Sequence, residues 1–97
     1  MVPDFETRDP EGRIVVLTEE RWNHIVDPTG GHPELVPHRD EVLTAIRKPD
    51  ARLAGRAPGE EWFYLRSWGP SRWIKVVVSF EGEIGRILTA FPRRSKP

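Results

Sequence analysis

The hydrophobic period of the chain changes at Pro49. Before this proline, apolar residues recur at helical spacing over residues 19–26 and 36–47, and after it they alternate every second residue. Proline disfavours the helical conformation in the residue before it, so the second helix must end near Arg47. The pattern therefore predicts two helices followed by a series of strands joined by hairpins. With 97 residues, the chain is predicted to form one domain with one small core.

The strand predictions define the fold class. A β-branched run, Arg13 to Leu17, precedes the helices, and the segments after Pro49 are a weak strand at 52–56 and strands at 61–68, 72–80 and 84–91. Turns are predicted at 58–59, 69–71 and 81–83. We expect an α+β fold in which a strand and two N-terminal helices pack on one face of a three- to five-stranded antiparallel sheet. Residues 1–12 are predicted to precede or edge this fold as an arm, residues 13–92 to form it, and residues 93–97 to be a basic tail.

Side-chain alternation predicts a second, unusual face of the sheet. If Phe63, Ile74, Val76 and Val78 point into the core, the opposite face carries aromatic and basic side chains: Trp62, Tyr64, Arg66, Trp68, Trp73 and Lys75. Such a face is costly to leave in water unless a ligand or a loop covers it. The last strand is ambiguous, because Ile87, Thr89 and Phe91 lie on one side and Arg86, Leu88 and Ala90 on the other.

The charges are unevenly divided although the net charge is zero. Residues 1–50 hold six Lys/Arg against eleven Asp/Glu, whereas residues 51–97 hold nine against four and also carry seven of the nine aromatic residues. A basic, aromatic half is typical of a surface that binds a polyanion with stackable bases. The alternative is that these residues serve strand packing and solubility.

Several classes of function are excluded by composition. The chain has no cysteine, which excludes a disulfide scaffold, a thiolate metal site and a cysteine nucleophile. Its longest aliphatic runs are far shorter than the roughly 20 residues of a membrane span. The three histidines with Asp27 or Glu34 lack a known ligand spacing, so we expect no metal and no other cofactor. The sequence predicts a cytoplasmic protein.

The histidines are the candidates for acid–base chemistry. Metal-free cleavage of RNA needs groups that take and give protons and a cation that stabilises the phosphate charge. His32, which follows the flexible Gly30-Gly31, and His24 are the candidates. Each has a structural alternative: His32 as a helix-capping residue beside Pro33, and His24 as a side chain packed on its own helix. His38 is expected to be exposed to solvent.

The cations that suit phosphate lie on the predicted strands. Arg66 and Lys75 project from the aromatic side of adjacent strands, where Tyr64 and Trp73 are candidates for RNA contact. Ordinary solubilising roles for these charges remain open.

Several segments together resemble a known family. They are LTEERWNHIV, HPEL at 32–35, DEVLTAIRKPD at 40–50, WFYLR, KVVVSF and the closing GRILTAFP. Over residues 13–94 the chain resembles the phage-associated branch of the barnase–EndoU–colicin–RelE superfamily, which consists of small metal-independent ribonuclease domains that act as toxins and prophage effectors.

The resemblance implies an RNA endonuclease that uses the substrate's own 2′-hydroxyl, with polar catalytic residues on the last strand. On this chain those are Arg86 and Thr89. The resemblance, which includes the HPEL segment, also favours His32 as the acid–base residue, with His24 as its companion. It also implies a protein antitoxin or immunity partner. The alternative is a non-catalytic module of the same fold that docks a protein partner through its aromatic and basic face.

Overall fold

One mixed sheet organises the molecule. In the computed structural model, which describes residues 4–68, 71–95 and 97, the strands are β1 (Phe5–Arg8), β2 (Ile14–Leu17), β3 (Ala51–Ala54), β4 (Glu60–Trp68), β5 (Ser71–Glu81) and β6 (Ile84–Arg93). Between β2 and β3 lie helix α1 (Glu19–Ile25), a 3₁₀ helix (Pro33–His38) and helix α2 (Arg39–Arg47). The predicted turn at Gly69-Pro70, the side chain of Trp68 and Lys96 of the predicted tail lie outside the described residues.

The predicted sheet is wrong in strand number and in direction. The described residues form six strands in the order β1-β2-β6-β5-β4-β3, and β2 runs parallel to β6. The pairs β1–β2, β3–β4, β4–β5 and β5–β6 are antiparallel, so the sheet is mixed. Phe5–Arg8, assigned from the sequence to the arm, pairs with Ile14–Leu17 as the edge strand, and Arg93 of the predicted tail belongs to β6.

Local signals explain where the helices begin and end. The Thr18 hydroxyl accepts a hydrogen bond from the Arg21 N–H (3.0 Å) and caps α1, whose first turn carries Glu19 and Glu20. The second helical segment begins as a 3₁₀ helix because Pro37, which has no N–H to donate, lies within it. It becomes α-helical at Arg39 and ends at Arg47, two residues before Pro49.

The core lies between the helices and one face of the sheet. Trp22, Ile25, Leu35, Val42 and Ile46 from the helical segments pack against apolar residues of the strands. The strand residues of this core are Val15, Leu17, Phe63, Ile74, Val76, Val78, Phe80, Ile87 and Ala90. Tyr64 and Lys75 are also buried, but they pair with each other on the opposite side of the sheet and are not part of this core. One face of the sheet therefore packs on the helices, and the other face buries residues of its own.

A β-bulge settles the ambiguous last strand. Val77 pairs with Thr89 but Val78 pairs with Ile87, so Leu88 is an extra residue in β6. The alternation of side chains shifts there by one: Ile87 and Ala90 face the core, while Arg86, Thr89 and Phe91 lie on the side away from the helices. Neither of the two alternations considered from the sequence is the one observed.

Candidate functional site

The strand register gathers the aromatic and basic side chains on one side. Tyr64 pairs with Lys75 and Lys75 with Phe91, while Trp73 pairs with both Arg66 and Arg93. Directly paired residues point to the same side of a sheet. We use the name aromatic face for one group of residues on this side of the sheet: Trp62, Tyr64, Arg66, Trp73, Lys75, Thr89, Phe91 and Arg93.

Lys75 is the centre of the aromatic face. Its Nζ lies 3.5 Å from the ring centre of Trp62, 5.5 Å from that of Phe91 and 5.8 Å from that of Tyr64. The residue is only 9% exposed, and no carboxylate or other acceptor in the described part of the chain is bonded to its ammonium. Burial lowers the pKa of Lys75, and the positive charges of Arg93 and Arg56 lower it further. An amine in this setting has unused hydrogen-bond donors.

Neighbouring bonds hold the rings around Lys75 in place. The Trp62 indole N–H donates to Glu60 Oε2 (2.8 Å), which fixes the ring over the ammonium. The Tyr64 ring meets that of Trp73 edge to face at 6.4 Å, and its hydroxyl lies 3.4 Å from Arg93 Nη1. The face is therefore a built arrangement rather than a set of loose surface side chains.

Arg66 and Arg93 border this arrangement. The Arg66 guanidinium lies 5.9 Å from the ring centre of Trp73, and that of Arg93 lies 5.8 Å from the Tyr64 ring centre. Asp50 Oδ2 accepts the backbone N–H of Arg66 (2.7 Å), which anchors the strand while leaving the guanidinium at the surface. Two guanidinium groups and one ammonium thus lie around the same group of rings.

His32 reaches the aromatic face from the loop after α1. Its backbone N–H donates to the carbonyl of Ile25 (2.6 Å), and the Gly31 N–H donates to that of Asp27 (2.8 Å). Gly31 has no room for a side chain, because a Cβ there would lie 2.5 Å from the Ile25 carbonyl oxygen. The loop passes the part of β6 that extends beyond β2, and the His32 ring lies 5.9 Å from that of Phe91.

The capping interpretation of His32 does not describe its side chain. His32 occupies the position before the 3₁₀ helix, but its side chain makes no capping hydrogen bond. Its Nδ1 instead lies 3.9 Å from Glu34 Oε1, and 42% of the side chain is exposed. The imidazole therefore does not cap the 3₁₀ helix and is partly exposed to solvent.

The other two histidines lie elsewhere. His24 is exposed on α1, in a hollow lined by Asp4, Glu19, Glu20, Asn23 and Asp27, and none of the described contacts joins it to Lys75 or Phe91. His38 was expected to be exposed, but it is half-buried, with Nδ1 3.6 Å from Glu41 Oε1.

Arg86 and Thr89 lie on the same side of the sheet as Lys75, but at different distances from it. Thr89 pairs with Val77, one strand pair from Lys75–Phe91 on the same side, and is partly buried. Arg86 pairs with Ser79, four residues along β5 from Lys75, and its Nη2 lies 3.7 Å from Glu81 Oε1 in the direction away from Lys75. The structure thus gathers His32, Lys75, Tyr64, Trp73 and Arg66, and leaves Arg86 and His24 outside the group.

Sequence reasoning missed Phe91 and assigned Arg93 to the basic tail. Phe91 contacts both His32 and Lys75, and Arg93 contacts Tyr64. The period-two pattern of β6 concealed them, because only the bulge at Leu88 places Phe91, Thr89 and Arg93 opposite the core.

Comparison with protein-family models, curated proteins and solved structures finds no match for the chain. Among the described helices, none has the length and apolar character needed to cross a membrane. No group of three or more His, Asp or Glu side chains in the described residues is arranged to hold a metal ion.

Proposed function

We propose that this protein is a metal-independent RNA endonuclease of the barnase–EndoU–colicin–RelE type and that the aromatic face is its active site. The observation that carries the proposal is the approach of His32 and Lys75 to one ring: the His32 ring lies 5.9 Å, and Lys75 Nζ 5.5 Å, from the ring centre of Phe91. A proton-transfer group and a cation thus border one surface on which RNA can lie.

The chemistry requires two proton transfers at one phosphate. The His32 imidazole removes the proton of the 2′-hydroxyl, whose oxygen then attacks phosphorus. The bond from phosphorus to the 5′-oxygen breaks, and the leaving oxygen takes a proton from the Lys75 ammonium. Because burial and neighbouring cations lower the pKa of Lys75, its ammonium is a stronger acid than an exposed lysine. The products are a 2′,3′-cyclic phosphate and a 5′-hydroxyl.

The remaining side chains bind the substrate. Arg66 and Arg93 border the rings around Lys75 and can stabilise the phosphate charge that grows during the attack. Thr89, two residues from Phe91 on β6, supplies a hydroxyl on the same side of the sheet. The rings of Trp62 and Trp73 are partly exposed, and such rings can stack with unpaired bases. These features support single-stranded RNA as the substrate.

A protein inhibitor fits the same surface. A toxin must be neutralised in the cell that makes it, and a partner that covers Arg66, Lys75 and Arg93 with carboxylates would block the phosphate site. We propose an acidic antitoxin or immunity protein as this partner.

The test is cleavage of total RNA by the purified protein in EDTA. We expect fragments that end in 2′,3′-cyclic phosphate. In a synthetic RNA oligonucleotide with one 2′-deoxy residue, we expect no cut after that residue. Intact RNA together with tight binding of a protein to the aromatic face would overturn the enzyme and favour the non-catalytic binding module instead.

A further inference from the structure

A groove separate from the aromatic face lies on the same side of the sheet. It has a volume of about 310 Å³ and lies where β2 leaves the sheet and α1 begins. Its lining residues come from β2, α1, β5 and β6: Val16, Thr18, Glu20, Arg21, Ser79, Arg86, Ile87 and Leu88. The bulge in β6 creates this lining, since Leu88 is the extra residue and Arg86 follows the shifted alternation.

The lining of the groove combines two cationic side chains with apolar ones. The Arg86 side chain is 66% exposed, and its ion pair with Glu81 is long at 3.7 Å. Arg21 is exposed and has no ion pair within the described residues. Leu88, 38% exposed, and Val16 supply apolar surface to the lining of the groove.

These features match the parts of a nucleotide. Two guanidinium groups suit a phosphate, and the apolar side chains suit the face of a base. The Glu20 carboxylate and the Ser79 hydroxyl suit the amino groups and ring atoms at the edge of a base. We propose that this groove is a second nucleotide subsite, which holds the RNA strand beyond the cleaved phosphate; this inference rests on the proposed function.

The separation of the two sites defines the length of RNA needed. Ser79, the partner of Arg86, is four residues from Lys75 on β5, which corresponds to about 13 Å at the rise of an extended strand. That distance equals roughly four nucleotides of a stacked strand at 3.4 Å each. A dinucleotide at Lys75 cannot reach Arg86, whereas an octanucleotide can.

The experiment compares a dinucleotide with a single-stranded octanucleotide as substrates. For Arg86→Ala and for Arg21→Ala we expect the ratio of kcat/KM for the octanucleotide to that for the dinucleotide to fall about tenfold, the effect of losing one charged contact. Arg47→Ala, which removes an exposed arginine at the end of α2, is the matched control and leaves the ratio unchanged. A loss of equal size for both substrates would place Arg86 at the reacting phosphate and overturn the subsite, as would an unchanged ratio.

A binding measurement distinguishes failure of this inference from failure of the proposed function. A 2′-deoxy octanucleotide cannot be cleaved by 2′-hydroxyl attack, and its affinity can be measured by fluorescence anisotropy. We expect Arg86→Ala to weaken this binding about tenfold whether or not RNA is cleaved. If native protein leaves RNA intact, the nuclease proposal fails while this measurement still tests the groove; equal affinity of native protein and Arg86→Ala would overturn the subsite.

Discussion

The ammonium of Lys75 lies 3.5 Å from the ring centre of Trp62, on the side of the sheet away from the helices. A cation is attracted to an aromatic ring, yet burial costs it the hydration that it has in the unfolded chain. Burial and the positive charges of Arg93 and Arg56 lower the pKa of Lys75.

This cation makes stability depend on pH in a defined direction. Because the folded pKa of Lys75 lies below its ordinary 10.5, the unfolded chain binds more protons between these two values. The contribution of Lys75 to the free energy of unfolding should therefore become more favourable as pH rises through this window. Urea unfolding of native protein and Lys75→Met at pH 7 and pH 10 measures it, and we expect native protein to gain on the variant at pH 10. A difference that stays constant would contradict the lowered pKa.

His32→Ala should remove most cleavage and leave the fold intact. Loss of a positioned proton-transfer group costs about 10²–10⁴ in rate, and His32 makes no capping hydrogen bond that the fold would lose. Single-turnover cleavage of RNA and thermal unfolding measure the two effects. His24→Ala is the control, since His24 is exposed on α1 away from the aromatic face. Equal rates for native protein and His32→Ala would refute the assignment.

Gly31→Ala should reduce cleavage by displacing His32. The new Cβ would lie 2.5 Å from the Ile25 carbonyl oxygen and 2.6 Å from that of His24, so the backbone must shift and the 2.6 Å bond from the His32 N–H must change. We expect a fall in kcat of more than about tenfold, because small misplacements of a catalytic group are costly. Gly30→Ala is the matched control, since nothing lies within 4 Å of a Cβ at Gly30. Similar activity in the two variants would show that the loop does not position His32.

Asp9→Ala should destabilise the fold without involving the site. The Asp9 side chain is fully buried and accepts the Arg13 Nε–H (2.6 Å), while Arg13 Nη2 is 2.9 Å from Glu61 Oε2. Removing one partner of a buried ion pair costs roughly 3 kcal/mol. Glu81→Ala breaks only an exposed pair and should cost less than about 1 kcal/mol. Urea unfolding of both variants checks this, and equal losses would show that the Asp9 pair is no stronger than a surface pair.

RNA affinity should fall as the salt concentration rises, and the steepness of this fall should depend on the number of cations on the aromatic face that contact phosphates. Each phosphate contact to a single strand contributes a slope of about −0.7 in a plot of log K against log salt. Arg66→Glu should therefore weaken binding and make the slope shallower by about 0.7, whereas Arg47→Glu at the end of α2 should leave the slope as it is. Filter binding from 50 to 300 mM KCl covers the useful range, which includes 0.1 M, where the Debye length is about 10 Å. A slope that does not respond to Arg66→Glu would exclude this residue from the interface.

Local patterns in the sequence determined much of the structure. The Thr18 cap and Pro49 define where helical segments start and stop, because both act on neighbouring backbone groups. Alternation in β4 and β5 predicted that Tyr64, Trp73 and Lys75 share one face, because successive side chains of a strand point to opposite sides. These inferences need no knowledge of distant parts of the chain.

The tertiary structure alone decided how the two ends of the chain meet and what completes the site. The parallel pairing of Ile14–Val16 with Ile84–Arg86 joins residues about seventy positions apart, which no local pattern encodes. The bulge at Leu88 reverses the facing of β6 and so brings Phe91 beside Lys75, because one extra residue shifts the two-residue period. Since β2 ends at Leu17, the loop carrying His32 lies against the remainder of β6, and this packing places an imidazole on a face that the sequence assigned only to aromatic and basic residues.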